Sequence, residues 1–228
     1  MAIGSTDLES ERSDRRTRRR QKMCEDILEA AEKVIAQRGL EKASMEEIAD
    51  QAAIAKGTIY LYFKNKNDLL LDLVRRNHEE IEAEVALILE QERTPGEQIR
   101  AVVRQMLKYR REKFEVHRVL FTQYLRADDA QDPVIREMKQ AMEKRVQMVM
   151  DIYREGVRQK EFRDLDPLFA VEMLSGMFHQ FLLRDLSKPG GCPPEEQGDQ
   201  ILDLFFHGVL MPSEKTKSNS TARSHAKR

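Results

Sequence analysis

Twenty residues from Ser44 to Phe63, SMEEIADQAAIAKGTIYLYF, constrain this chain more than any other stretch, because they specify two short helices joined by a tight turn. Ser44 is placed to cap the first helix, its hydroxyl accepting from a backbone N–H of the first turn while Glu47 reaches back in a capping box. Met45, Ile48, Ala49 and Ala52 recur at helical spacing, so one side of that helix faces inward. Ala53-Ile54-Ala55 forms the turn, with Ile54 its only bulky apolar anchor. In KGTIYLYF, Ile59 and Phe63 fall one turn apart and point to a core, leaving Lys56, Thr58, Tyr60 and Tyr62 on the other sides. A cation, a hydroxyl and two phenols on a small second helix suit the major groove of duplex DNA, with the N-terminal residues against base edges. A plain helical hairpin within a larger bundle is the alternative. Leu61 either packs inward or meets a thymine methyl, and inward packing is the stronger expectation.

The flanking residues make the pattern specific. Upstream, Cys24, Ile27, Leu28, Ala31, Val34 and Ile35 share one helical face, which ends at Gly39, a C-cap signal. Downstream, a new helix opens near Asn65 or Lys66. The stretch from about Thr17 to Asn77 resembles the N-terminal DNA-binding domain of the TetR/AcrR family of transcriptional regulators. The matching elements are A-x-x-V-I-A-x-x-G-L (Ala31 to Leu40), I-A-x-x-A (Ile48 to Ala52) and K-G-T-I-Y-x-Y-F-x-N-K (Lys56 to Lys66), followed by Asp68-Leu69-Leu70. They cover roughly a quarter of the chain, and their combination is stronger than a lone helix-turn-helix pattern.

The resemblance implies roles for single residues. Ser44 matches a hydroxyl residue that contacts a backbone phosphate. Thr58 and Tyr60 match positions that approach bases or the sugar–phosphate chain, and Tyr62 and Lys66 match phosphate contacts. Gly57 would let the recognition helix lie close to DNA. Lys56 stands where members vary, facing a phosphate or a guanine edge. Ala55 occupies a DNA-facing position but has no hydroxyl, so it cannot cap the helix as the Ser or Thr common there does. At Ala53, family members often carry Gly.

Charge is segregated along the chain. The whole carries a formal −1, yet Arg12 to Lys66 holds 13 Lys/Arg against 9 Asp/Glu, a net of +4. Residues 67–212 hold 21 bases against 27 acids, a net of −6. A basic front on an acidic body is the electrostatic footprint of a DNA binder. The run Arg15-Arg16-Thr17-Arg18-Arg19-Arg20 is equally consistent with an arm that follows the duplex, Arg18 among its contacts, and with a solvated, disordered arm.

Other chemistries find little support. The two cysteines, Cys24 and Cys192, are too few for a disulfide framework and lack zinc spacing. No metal site, cofactor or catalytic group is expected: the five histidines are scattered, with no H-E-x-x-H, C-x-x-C, G-x-S-x-G or glycine-rich phosphate loop. No apolar run reaches the ~18 residues that suggest a membrane span, and no signal-peptide pattern stands at the N-terminus. A cytoplasmic protein with no membrane partner is the expectation.

The expected fold is all-α with about nine helices. A disordered tail spans 1–14, a helix-turn-helix DNA-binding domain 15–77 (motif about 44–63), a helical ligand-binding and dimerisation domain 78–212, and a basic disordered tail 213–228. Thr94-Pro95-Gly96 breaks the fourth helix, and Asp132-Pro133 and Asp166-Pro167 open the seventh and eighth. Met106, Tyr109, Phe121, Tyr124, Met142, Met173, Met177 and Phe178 are soft or aromatic groups expected on inner faces; each alone reads better as core, and the family resemblance makes them candidates for an effector pocket. Phe169, Met173 and Gly176 on the eighth helix and Phe205 and Val209 on the ninth form a candidate dimer face. The expected function is a ligand-responsive regulator: a homodimeric repressor on a palindromic double-stranded operator, released by a small apolar effector of unknown identity. An activator of the same fold and an inducer-independent DNA-organising protein are the alternatives.

Overall fold

The computed structural model describes residues 4–91, 93–126, 131–187 and 195–210, and the expected tail 213–228 lies outside them. Among the described residues the chain is all-α: α1 (Gly4–Arg38), α2 (Met45–Gln51), α3 (Lys56–Ile59), α4 (Lys66–Leu89), α5 (Pro95–Glu112), α6 (Phe114–Arg126), α7 (Pro133–Arg158), α8 (Pro167–Ser187) and α9 (Glu195–Val209). The sequence predicts a disordered segment over 1–14, but α1 begins at Gly4. Neither Gly nor Pro occurs between residues 5 and 38, so nothing stops the helix propagating backward from its packed half.

Two compact units result, one of 1–79 with 113–139 and one of 80–112 with 140–228, each taken over its described residues. The first therefore extends past the expected boundary at 77 by recruiting α6 and the start of α7. Val116, Leu120 and Val134 are buried in one core with Ile27, Ala31 and Ile35 of α1 and Leu69 and Leu73 of α4. Polar groups pin this unit as well. Glu32 of α1, its side chain only 12% exposed, pairs with Arg76 of α4 and Lys113 at the entry to α6, each at 2.6 Å. One carboxylate thus ties three helices together.

In the second unit the core centres on Tyr153 and Phe162, whose rings stack at 5.2 Å, with Phe206 beside Phe162 at 6.0 Å. Gly156 is required there, because a Cβ would collide with the Phe162 ring. The buried phenol of Tyr153 donates to the Arg163 carbonyl at 2.9 Å. Helix starts follow local chemistry. The Asp132 carboxylate accepts from Val134 N–H at 2.7 Å and that of Asp166 from Phe169 N–H at 2.8 Å. Thr94-Pro95-Gly96 does more than end α4. Thr94 Oγ1 accepts from Glu97 N–H and the Glu97 carboxylate accepts from Thr94 N–H, a second capping box that starts α5.

Candidate nucleic-acid interface

The reading device is assembled as its residues dictate. Ser44 Oγ accepts from Glu47 N–H at 3.2 Å, and Ser44 N–H donates to Glu47 Oε2 at 3.1 Å, so the capping box is complete. The Glu47 carboxylate also pairs with Arg38 near the end of α1. Gly39, at φ 78°, closes α1 in the left-handed conformation expected of a C-cap. The turn between α2 and α3 needs a second left-handed residue, and Ala53 supplies it at φ 54°. This is the position where relatives often carry Gly, and the strain is of order 1–2 kcal/mol. Ile54 packs against the core as the anchor of that turn.

Ala55 begins α3 without a side-chain cap. Ile59 and Phe63 are buried, and the exposed side holds Lys56, Gly57 and Tyr60, with Thr58 half-buried. No neighbouring atom lies within 4 Å of a Cβ built on Gly57, so nothing inside the protein requires glycine there. Lys56 is braced by Glu46 of α2, at 2.7 Å. Its hydrogen bond holds the Glu46 carboxyl below the usual carboxylate range and the Lys56 amine above the usual lysine range. The sequence pattern does not single out Glu46, because it resembles any exposed helix acid.

Arg20 of α1 lies over the Tyr62 ring, 5.5 Å from its centroid, and holds the half-buried phenol in place. Arg18 is exposed on α1. Lys66, matched by resemblance to a phosphate contact, is engaged inside the unit. Its amine donates to the carbonyls of Leu40 and Glu41 just past α1. Burial draws that amine below the usual lysine range, with Glu41 and Glu47 opposing. Carbonyls at the end of a helix carry partial negative charge, which accounts for the attraction.

Several expectations need correction. Leu61 does not pack inward; it is 72% exposed. Ile59 and Phe63 claim the inner side, and a residue two positions from each falls opposite. Phe205 and Val209 are each only 5% exposed within the second unit, so they belong to the single-chain core and not to a dimer face. On α9 the outward arc holds Asp203, Leu204, His207 and Gly208, since Ile201, Leu202, Phe205, Phe206 and Val209 take the inner arc. On α8, Phe169 (54% exposed), Met173 (48%) and Gly176 do face outward, opposite buried Ala170, Val171 and Leu174. Of the pocket candidates, Tyr109 is buried and Met106, Met177 and Phe178 pack partly buried on the core. Met142 and Met173 are exposed, contrary to the inner-face expectation, because each lies on the arc of its helix away from the buried residues. Phe121 and Tyr124 lie outside the residues whose side chains are described. Cys24 is half-buried, and burial pushes its thiol up, as suits a packed cysteine.

Among the described residues no group of three or more His, Cys, Asp or Glu could hold a metal, and no helix is long and apolar enough to cross a membrane. The family profile described as "Bacterial regulatory proteins, tetR family" matches residues 27–73, and that described as "Tetracyclin repressor-like, C-terminal domain" matches 92–209. The chain is 26% identical over 184 residues to the fatty acid metabolism regulator protein of Bacillus subtilis, covering 80% of this chain and 93% of that one. It is 26% identical over 197 residues to the transcriptional repressor KstR2 of Mycobacterium tuberculosis, covering 81% and 91%. The fold matches the crystal structure of the transcriptional regulator FadR from Bacillus subtilis in complex with stearoyl-CoA, with a TM-score of 0.66, 24% identity and coverage of 80% and 97%. With a capped α2, a strained turn, an outward-facing α3 and both family domains in place, the chain belongs to the TetR family of DNA-binding transcriptional regulators.

Proposed function

We propose that this regulator is a repressor that binds a palindromic operator as a homodimer and is released by a small effector with an apolar body. The observation that carries the DNA-reading half is Gly57. Glycine in a helix costs about 1 kcal/mol relative to alanine, and no packing inside the protein asks for it. Close approach of a DNA backbone supplies the reason. Lys56, Thr58, Tyr60 and Tyr62 surround it, with Ser44 and Ala55 at the two helix starts and Arg18 on α1.

The homodimer is supported by the outward line Leu168, Phe169 and Met173 on α8 and Leu204 on α9, apolar side chains left exposed by a single chain. Gly176 and Gly208 leave open space beside them, which suits close helix approach by a second copy. Two recognition elements related by a two-fold axis then meet half-sites about one helical turn, ~34 Å, apart. This reading places the protein in the cytoplasm, with the DNA it binds.

Acyl-CoA thioesters are the first effector class to test, given the similarity to a fatty acid metabolism regulator and to a structure holding stearoyl-CoA. Within the second unit, Met106, Met177 and Phe178 offer an adaptable apolar lining. Arg145 of α7 is desolvated there, drawn to Glu82 and repelled by Arg110. Burial, and then Arg110, pull His179 of α8 below the usual histidine range. The Arg145 guanidinium suits the anionic end of an amphipathic ligand, and the His179 imidazole, favoured neutral by these neighbours, suits a hydrogen bond to it. The switch runs through α4, which starts at Lys66 in the first unit and ends in the second. An effector that shifts α4 changes the separation of the two reading heads, a coupling typically worth about 1–3 kcal/mol.

The test is a band-shift titration of the full chain on the DNA upstream of its own coding region, with and without stearoyl-CoA. Retention at low salt, with release by stearoyl-CoA, is expected. Retention that no acyl-CoA relieves would remove the effector class, and uniform coating of unrelated duplexes would favour an inducer-independent DNA organiser.

A further inference from the structure

Leu61 is unaccounted for by the roles assigned so far. It is the most exposed large apolar side chain in the described residues of the first unit, and the only other one exposed there is its neighbour Tyr60. Two side chains are too small a patch to dock another protein, and both sit on the recognition element. The backbone around Leu61 is well defined, with its N–H donating to the Thr58 carbonyl at 3.0 Å and Tyr62 N–H to that of Ile59 at 3.0 Å. Ile59 and Phe63 anchor the opposite side of this turn in the core, at 0% and 2% exposure.

The position relative to Gly57 matters most. Leu61 follows Gly57 by four residues, in the turn that continues the recognition element past α3, and both are exposed. Gly57 leaves open space on that exposed side, with no neighbouring atom within 4 Å of a Cβ built there. At the start of the same element, the charge of Lys56 is countered by Glu46. The exposed side of the element thus presents an isobutyl group and a stretch of bare backbone, and its Lys56 cation is paired. Phosphates and sugars offer such a group little. The floor of the major groove offers one apolar group, the C5-methyl of thymine.

We propose that Leu61 is a specificity-determining residue that packs on the C5-methyl of one thymine in each operator half-site. The proposal rests on the DNA-reading role of α3, and its test separates the two. Duplexes are first selected from a random-sequence library with the full-length protein. Each thymine of the selected site is then replaced singly by deoxyuridine, which lacks only the methyl. At one thymine per half-site this should weaken wild-type binding about fourfold, and about fifteenfold when both half-sites are changed, as burial of a single methyl predicts. Leu61→Ala should bind the thymine and deoxyuridine sites equally, whereas Leu61→Met should keep the preference for thymine. Because Leu61 is 72% exposed, both variants should unfold close to the wild-type temperature. Equal sensitivity of wild type and Leu61→Ala at every thymine would overturn the proposal, as would a wild type indifferent to deoxyuridine throughout. Enrichment of no duplex at all is a different failure, which removes the DNA-reading role itself and this assignment with it.

Discussion

The two units of this protein are built by different means. The first is held by directed polar contacts at every junction: the Ser44–Glu47 capping box, Glu46 bracing Lys56, Lys66 strapping the end of α1, and Glu32 joining α1, α4 and α6. The second packs an aliphatic and aromatic core, with Met106, Met148, Met150 and Met177 partly buried against it, and leaves an apolar line on α8 and Leu204 of α9 exposed. Directed contacts hold a fixed shape, as a device that must match groove spacing requires. Partly buried methionines adapt to a changing neighbour, which suits the ligand and second copy proposed for this unit.

Three substitutions would break or sharpen this contrast. The largest effect is expected at the exposed line of the second unit. Phe169→Glu would place two buried carboxylates near the two-fold axis and remove two aromatic anchors, weakening association by about 4 kcal/mol or more. Sedimentation should show a monomer whose helix content is unchanged; a dimer as tight as wild type would put the interface elsewhere. Next comes the ion triad of the first unit. Glu32→Gln leaves Arg76 and Lys113 with no carboxylate between them and should cost about 3 kcal/mol in urea unfolding, since a broken buried pair strands its charges. A loss below about 1 kcal/mol would mean that apolar packing alone holds this unit.

The smallest effect is the most diagnostic. Gly57→Ala should stabilise the fold by up to about 1 kcal/mol through helix propensity while weakening DNA binding, because the added methyl meets the DNA backbone. Stability and affinity moving in opposite directions identify a residue kept for its partner. If both improve, Gly57 has no role at the groove.

The legible features are local ones. Capping residues, proline starts and helical spacing act within four residues, so α2, α7 and α8 start at the residues whose side chains announce them. The recognition element is legible for the same reason, with Ile59 and Phe63 one turn apart. Less legible is which of two apolar faces a helix spends on its own core. Phe205 and Val209 share a side of α9, and nothing within four residues says whether that side meets this chain's own core or a second copy. Leu61 escapes a local reading because leucine is far more often buried than exposed. The Lys66 strap spans 26 residues of sequence, beyond any local pattern.

Short-range chemistry therefore settled the all-helical class, the helix starts and the DNA-reading motif, since hydrogen-bond caps and helical period are properties of neighbouring residues. Packing settled which side chains were left over: an outward leucine on the recognition element, an apolar line on α8, and a lysine bound to its own chain's carbonyls. Those outcomes depend on which surfaces are already covered, and only the folded chain covers them.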